Sequence, residues 1–585
     1  MLLCNEADRG LDVTPHESGQ TSATVVLYKK PMELLKGAKQ MNASKTACAA
    51  PNLELAWESI DWTKCEAEVK KLQERIVKAR KEGRHGKVKA LQWTLTHSFS
   101  AKAIAIKRVT TNEGKKTAGV DGIIWSTDKE KVEAILELKR KGYKPQPLRR
   151  VFIKKSNGKL RPLGIPTMKD RAMQALYLLA LEPIAEMTAD PHSYGFRKGR
   201  GCQDAIQQCH TILSHGYSPQ WVLEGDIKGC FDHISHEWLF GNIPTDTKIL
   251  EQWLKCGVIF NGELYRTEEG TMQGGIISPA LANMALDGIQ AMLAQRYKRH
   301  SRNGKLYSPM VNMVRYADDF IITSADRDVL EEEIKPMLVE FLAARGLELS
   351  EEKTVVTHID DGFDFLGFNI RKFKETLLTQ PSKKSTKRFL DGIRHTIDSN
   401  KSCTQETLIR LLNPKITGWA NYYRCGASSK TFQKVDHQIF CKLWQWAKRR
   451  HPKKGKRWIA NKYFHYYKGQ NWRFLVKLDK NGKEDIFPLK LAFDTKIIRH
   501  QKIVSKANPF DREWKRYFEE RMTYKMLLSL KGRKSLMYMW KKQDKKCPLC
   551  GQPITAETQW NVREEKADGR TVRLLVHAKC YKENR

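Results

Sequence analysis

The sequence predicts a multidomain α+β protein, and three observations carry that expectation. At 585 residues the chain is longer than a single hydrophobic core sustains. Short strand-like apolar runs, Trp221-Val222-Leu223 and Val314 to Ile322 among them, alternate with stretches whose apolar residues recur at helical spacing. Near the C-terminus, Cys547, Cys550, His577 and Cys580 form a CxxC…HxxC set, the pattern of a small terminal segment built on a tetrahedral metal.

Composition narrows the class. Lys and Arg number 104 against 66 acids, a formal charge of +38, and the cations are spread along the chain. A polyanion is the expected partner, and counterion release should make its binding salt-dependent. No run of about 18 apolar residues occurs, since Gln174, Glu182, Pro183 and Glu186 break up the most apolar stretch, Ala172 to Met187. Neither a membrane span nor a secretory signal is expected, and scattered single cysteines such as Cys209, Cys256 and Cys441 read as reduced thiols of a cytoplasmic protein. Residues 1–54 mix polar and charged residues without periodicity and are expected to be a disordered extension.

From Trp57 to about Asn112, Val69, Leu72 and Ile76, then Val88, Leu91 and Leu95, recur at helical spacing. Arg150 to Leu163 reads as a hairpin turning at Asn157-Gly158, with Lys159 and Arg161 near its tip. An apolar run then delivers Asp226 just before a turn toward a helix. A Gly-rich loop holds Gln273 beside Gly274 and Gly275. Asp318 and Asp319 fall at the tip of a second hairpin. Two like charges there are costly unless a divalent cation or a basic partner offsets them. With Asp226, two strands could bring three carboxylates together, as two-metal phosphoryl transfer requires. A helical, aromatic-rich basic region spans about 380–470, in which Trp419, Trp444 and Trp446 suit a bundle core and Lys448, Arg449 and Arg450 a nucleic-acid backbone. A hairpin is expected around Asn481-Gly482, followed by basic helices carrying Lys531, Arg533 and Lys534.

Six blocks together carry a specific resemblance. They are Gly158 to Pro166, Ser193 to Arg197, Trp221 to Asp232, Gly270 to Pro279, Val314 to Ile322 and Phe363 to Phe368. In this order the chain, from about residue 55 to its end, resembles the group II intron-encoded reverse transcriptases and maturases. The resemblance implies a right-hand polymerase: fingers and palm over 55–378 with a helical N-terminal extension, a thumb or maturase domain over 379–470, and a DNA-binding domain over 471–542. Asp226, Asp318 and Asp319 would be catalytic, and Asp226, Ile227, Asp318 and Asp319 would hold magnesium. Lys159, Arg161, Phe231, Gln273 and Lys353 would contact the deoxynucleotide. Phe231 would reject a 2′-hydroxyl, although a core Phe is the plain alternative. The N-terminal helices would grip RNA, or merely pack on the polymerase.

The terminal segment departs from the family pattern. Where its HNH endonuclease carries paired histidines, this chain has Arg563-Glu564, and no later Asn completes the motif. Over 543–585 we therefore expect a degenerate endonuclease-like domain, with Cys547, Cys550, His577 and Cys580 on zinc or else left as unpaired thiols. The function implied is RNA-directed DNA polymerase and maturase, with intron RNA, target DNA and deoxynucleotides as partners. A splicing-only RNA-binding protein, or a reverse transcriptase domesticated for host defence or DNA repair, are the competing readings.

Overall fold

A computed structural model describes residues 57–583 apart from 155–157, 159, 299, 303–304, 481–482, 531 and 568–569. The extension expected over 1–54, and Lys159, lie outside the described residues. The chain begins with helices α1 (Trp62–Lys81), α2 (His85–His97) and α3 (Phe99–Thr111). Asp61 and Ser98 cap α1 and α3 by accepting from the backbone N–H groups of Lys64 and Ala101. The helical periodicity seen in the sequence buries Val69, Ile76, Val88, Leu91 and Leu95 in one core, with Leu72 packed against it.

Strands β1 (Leu148–Lys154) and β2 (Leu160–Ile165) pair antiparallel. Their pairing runs from Arg149↔Ile165 to Lys154↔Leu160, the hairpin the sequence predicts. Register is set at the base of the hairpin: β1 also pairs in parallel with β5 (Val258–Phe260), and the Gly164 N–H donates to the Gln273 carbonyl at 2.8 Å. After β2 come helices α4 (Met168–Thr188) and α5 (Cys202–Leu213), then β3 (Trp221–Gly225) and β4 (Ile227–Lys228).

The central sheet has the order β9-β3-β7-β6, with β6 at Asn312–Tyr316, β7 at Asp319–Ser324 and β9 at Val355–His358. It is buried on both faces. Successive strand residues point to opposite sides, so Leu223, Met313, Phe320 and Ile322 enter the first core while Val222, Val314 and Ile321 enter a second. This two-sided burial is why the strands read as nearly continuous apolar runs. A short strand β8 (Glu348–Leu349) pairs with β4 beside the sheet.

Beyond it, β10 (Phe363–Phe365), β11 (Phe368–Phe373) and β12 (Thr376–Pro381) form a meander. The β10–β11 turn has positive φ at both Leu366 and Gly367, the geometry that favours glycine. The hydroxyls of Tyr422 and Tyr423 donate to the carbonyls of Leu366 and Gly367 at 2.9 and 3.2 Å. A Cβ on Gly367 would lie 2.8 Å from the Tyr423 hydroxyl. The Phe363 to Phe368 block is thus the seat for the next element, a bundle of α6 (Lys383–Ser399), α7 (Gln405–Tyr423), α8 (Ser429–Arg450) and α9 (Lys456–Tyr463). Trp446 is buried in that bundle, while Trp419 stacks on Phe389 at its edge and Trp444 packs against Phe464.

Strands β13 (Phe464–Tyr467), β14 (Gln470–Lys480) and β15 (Lys483–Pro488) follow, and β13 pairs with β14 across Tyr467↔Gln470. That hairpin runs through residue 470, where the sequence placed a domain boundary. Phe474, Leu489, Ala492, Ile503 and Ala507 complete the second core. Buried Asp204 of α5 fastens this region by accepting from Arg521 (2.8 Å), His500 (2.9 Å) and the Ile503 N–H (2.7 Å). A third core, with Met526, Leu530, Trp540, Ile554, Leu575 and Val576, gathers α10 (Lys515–Ser529), α11 (Lys534–Lys542), β16 (Trp560–Ala567) and β17 (Arg570–His577). Among the described residues no helix is long and apolar enough to cross a membrane.

Candidate active site

The central sheet brings the predicted carboxylates together by register. Phe320 pairs with Gly225, and Asp319 pairs with Tyr316. The ends of β7 and β3 are therefore level, and Asp319 stands opposite Asp226, which directly follows β3. Asp318 occupies the two-residue turn between β6 and β7. Ala317 before it has φ +58°, the conformation the first position of a type II′ turn demands. Burial comes first in raising the Asp318 carboxyl above its usual range, with the negative charge of Asp226 next among the upward causes. Asp319 is pushed up to about 6, by burial and then by Asp318 and Asp226. Asp319 itself is exposed to solvent.

Lys353, at the end of a short helical turn after β8, donates to Asp226 Oδ2, and this bond raises its own pKa. The Ser350 N–H donates to the Asp226 carbonyl at 2.9 Å. Ile227 is buried and has no side-chain donor atom, so its main-chain carbonyl is all it can offer a cation. Three carboxylates on separate elements, answered by the charges of Arg161 and Lys353, offer the oxygen donors that magnesium takes.

Arg315, which the sequence reading passed over, supports the acidic turn from below. Its side chain is fully buried, pairs with Asp287, and donates to the carbonyl of Ala317 and to Asn283 Oδ1, both at 3.3 Å. Asn283 in turn donates to the Gly195 carbonyl at 2.8 Å. A Cβ on Gly195 would come within 2.3 Å of the Ala317 nitrogen, which explains the glycine in the Ser193 to Arg197 block. The available signal was an arginine inside a strand buried on both faces, a position that obliges it to have a partner.

Facing the carboxylates, Arg161 Nε donates to Gln273 Oε1 at 2.8 Å, and Gln273 Nε2 donates to both oxygens of Asp232 at 2.9 Å. Phe231, half-buried, meets Phe196 edge-on with centroids 6.4 Å apart. Arg161 and Lys353 lie near enough to the acids for their charges to act on Asp318, Gln273 is joined to Arg161, and Asp232 is a partner that no local pattern marked. In the helical bundle Lys448 and Arg449 are exposed. Arg450 is held differently from them: its Nη1 donates to the carbonyls of Lys401 and Cys403, both at 2.9 Å, and its guanidinium lies over Trp446. Nη1 thereby closes the loop between α6 and α7.

In the third core, donor atoms of Cys547, Cys550, His577 and Cys580 all lie within 4.8 Å of one another. His577 Nε2 contacts the Pro553 carbonyl at 3.1 Å, so that nitrogen carries the proton and Nδ1, 3.2 Å from Cys550 Sγ, is left as the ligand atom. Arg563 and Glu564 lie on β16 and are paired with Glu565 and Arg573, each at 2.9 Å.

Three family models match consecutive parts of the chain. Residues 57–138 match the N-terminal domain of reverse transcriptase, 153–370 match reverse transcriptase (RNA-dependent DNA polymerase), and 386–464 match the group II intron maturase-specific domain. Protein YkfC of Escherichia coli K12 is 34% identical over 305 residues, covering 46% of this chain and 79% of YkfC. The chain belongs to the group II intron-encoded reverse transcriptase and maturase family. The group II intron-encoded protein LtrA of Lactococcus lactis subsp. cremoris is 33% identical over 352 residues, 49% of this chain, and the match spans 58% of LtrA. A telomerase structure from Candida albicans aligns over 54% of this chain and 64% of its own at 12% identity, with a TM-score of 0.30, too slight a likeness to add to this. Within the reverse transcriptase match lie the three carboxylates, Arg161, Phe231, Gln273 and Lys353; the Cys/His cluster lies beyond all three matches.

Proposed function

We propose that this protein is an RNA-directed DNA polymerase that also binds its parent group II intron RNA, promotes its splicing and copies it into DNA during retrohoming. The observation that carries the reading is the level placement of Asp226 and Asp319 at neighbouring strand ends, with Asp318 on the intervening turn. On this reading β1–β2 belongs to the fingers, the central sheet is the palm and the bundle α6–α9 is the thumb. Residues 471–542 contact target DNA, and the exposed Lys448 and Arg449 face a nucleic-acid backbone.

Asp226, Asp318, Asp319 and the carbonyl of Ile227 hold magnesium, which when bound lowers the pKa of the attacking 3′-hydroxyl and steadies the departing pyrophosphate. The remaining groups bind and orient. Arg161, with Lys159, faces the triphosphate, where its planar fork suits phosphate oxygens. Phe231 lies against the sugar and excludes a 2′-hydroxyl. Lys353 sits beside the acids on the primer or triphosphate side. Primer extension on an RNA template with magnesium and deoxynucleotides tests this: extension by the purified chain is expected, and its absence at low salt would leave only the splicing role.

The terminal segment is read as an endonuclease remnant folded on zinc. Three thiols and one imidazole with a fixed tautomer suit tetrahedral zinc, whereas Arg563 and Glu564 are engaged in ion pairs and offer no imidazole for hydrolysis. About one zinc per chain is expected by elemental analysis, reduced severalfold in a Cys547→Ser, Cys580→Ser variant. No magnesium-dependent nick of a cognate DNA target should accompany it. A nick that disappears on mutating this segment would refute the remnant reading.

A further inference from the structure

We propose that Asp232 is a positioning residue for polymerisation: it fixes which way the Gln273 carboxamide faces and, through Gln273, holds Arg161 of the fingers hairpin in register with the catalytic carboxylates. The proposal rests on the polymerase reading above and assigns a role to an acid that the metal site does not use.

A glutamine amide has an accepting oxygen at one corner and two N–H donors at the other, and a half-turn exchanges them. Two neighbours of opposite character remove that freedom here. Arg161 Nε can only donate, and it lies 2.8 Å from Gln273 Oε1. The Asp232 carboxylate can only accept, and both its oxygens lie 2.9 Å from Gln273 Nε2. Turned over, the amide would set N–H against guanidinium and oxygen against carboxylate, making both contacts repulsive.

The main chain leaves the side chain no other route. The Gln273 carbonyl is taken by the Gly164 N–H of β2 at 2.8 Å. The N–H groups of Gly270 and Thr271 donate to the carbonyls of Ile234 and Phe231 at 2.8 and 2.6 Å. The Gly-rich loop is therefore laced to the turn Cys230–His233 that carries both Phe231 and Asp232. His233 pairs with Glu269 at 2.9 Å, which leaves the Asp232 oxygens to Gln273.

Two consequences follow for the nucleotide. Engaging Arg161 through Nε turns its terminal fork toward phosphate oxygens, and a single amide orientation offers the nucleotide one fixed pattern of donor and acceptor. Without Asp232 the amide can rotate and Arg161 loses its guide, so nucleotide binding should suffer while the metal-bound chemistry does not.

The test is steady-state primer extension with Asp232→Ala, Asp232→Asn, Gln273→Ala and the Asp232→Ala, Gln273→Ala double variant. For Asp232→Ala we expect KM for deoxynucleotide to rise about tenfold with kcat within about threefold. Asp232→Asn, which keeps one acceptor, should fall between it and wild type. The double variant should be no worse than Gln273→Ala alone, because the two residues act as a unit. An unchanged KM in Asp232→Ala, a fall confined to kcat, or effects that multiply in the double variant would each overturn the proposal. A wild type that extends no primer would instead bring down the polymerase reading itself.

Discussion

Replacing Asp318 and Asp319 together by Ala should lower the rate of primer extension on RNA by about a thousandfold or more, equivalent to roughly 4 kcal/mol of lost transition-state stabilisation. Affinity for RNA should stay within about twofold, because that binding rests on many dispersed cations and changes little when two acids are lost. The folded state should not suffer either. Asp318 sits on a turn, and Asp319 is solvent-accessible. Both carboxyls are raised by burial and by neighbouring negative charge, so each is held charged at a cost that Ala removes. Equal or higher thermal stability with extension lost is the expected pair of results. Extension retained to within tenfold would show that these acids do not hold the metal, and a large drop in stability would show that they serve the scaffold instead. Splicing of the intron by the same variant would separate the two roles proposed for the chain.

The acids were legible because a strand buried on both faces shows as an apolar run, and an acidic pair that interrupts it has to sit at the tip. The same logic placed Asp226, whereas Phe231 and Gln273 came from the family resemblance, and the helical periodicity of Val69 to Leu95 placed the N-terminal helices. What escaped detection was long-range. Arg315 meets Asp287 across 28 residues, and Asp232 meets Gln273 across 41; neither pair shares a periodic pattern, so nothing local marks the partners. One local contact was not legible either. Arg450 follows Lys448 and Arg449 in a basic run that looks solvated, but its position at the end of α8 brings it over two open carbonyls of the α6–α7 loop.

Arg315→Leu should be the most destabilising single change in the reverse transcriptase region, by about 3–5 kcal/mol, the usual cost of leaving one member of a buried ion pair behind. Asp287 is buried with Arg315 and accepts its guanidinium, and burial already pushes the Asp287 carboxyl up to about 6 against the pull of that cation. The sign of the pH dependence follows. A carboxyl whose folded pKa lies above its unfolded value, roughly 3.9, holds its proton more tightly when folded. It therefore contributes stability fully below the unfolded value and loses it as pH rises through about 6. Without Arg315 the folded pKa climbs further, so the deficit of Arg315→Leu relative to wild type should be larger at pH 8 than at pH 5.5. Urea unfolding at the two pH values measures it. Replacing both partners, Arg315→Leu with Asp287→Leu, removes the stranded charge and should recover much of the stability. It should not recover primer extension, because the Ala317 carbonyl at the acidic turn still lacks the donor 3.3 Å away that holds it in place. Recovery of both together would mean that Arg315 matters for folding alone and that the turn holds its shape unaided.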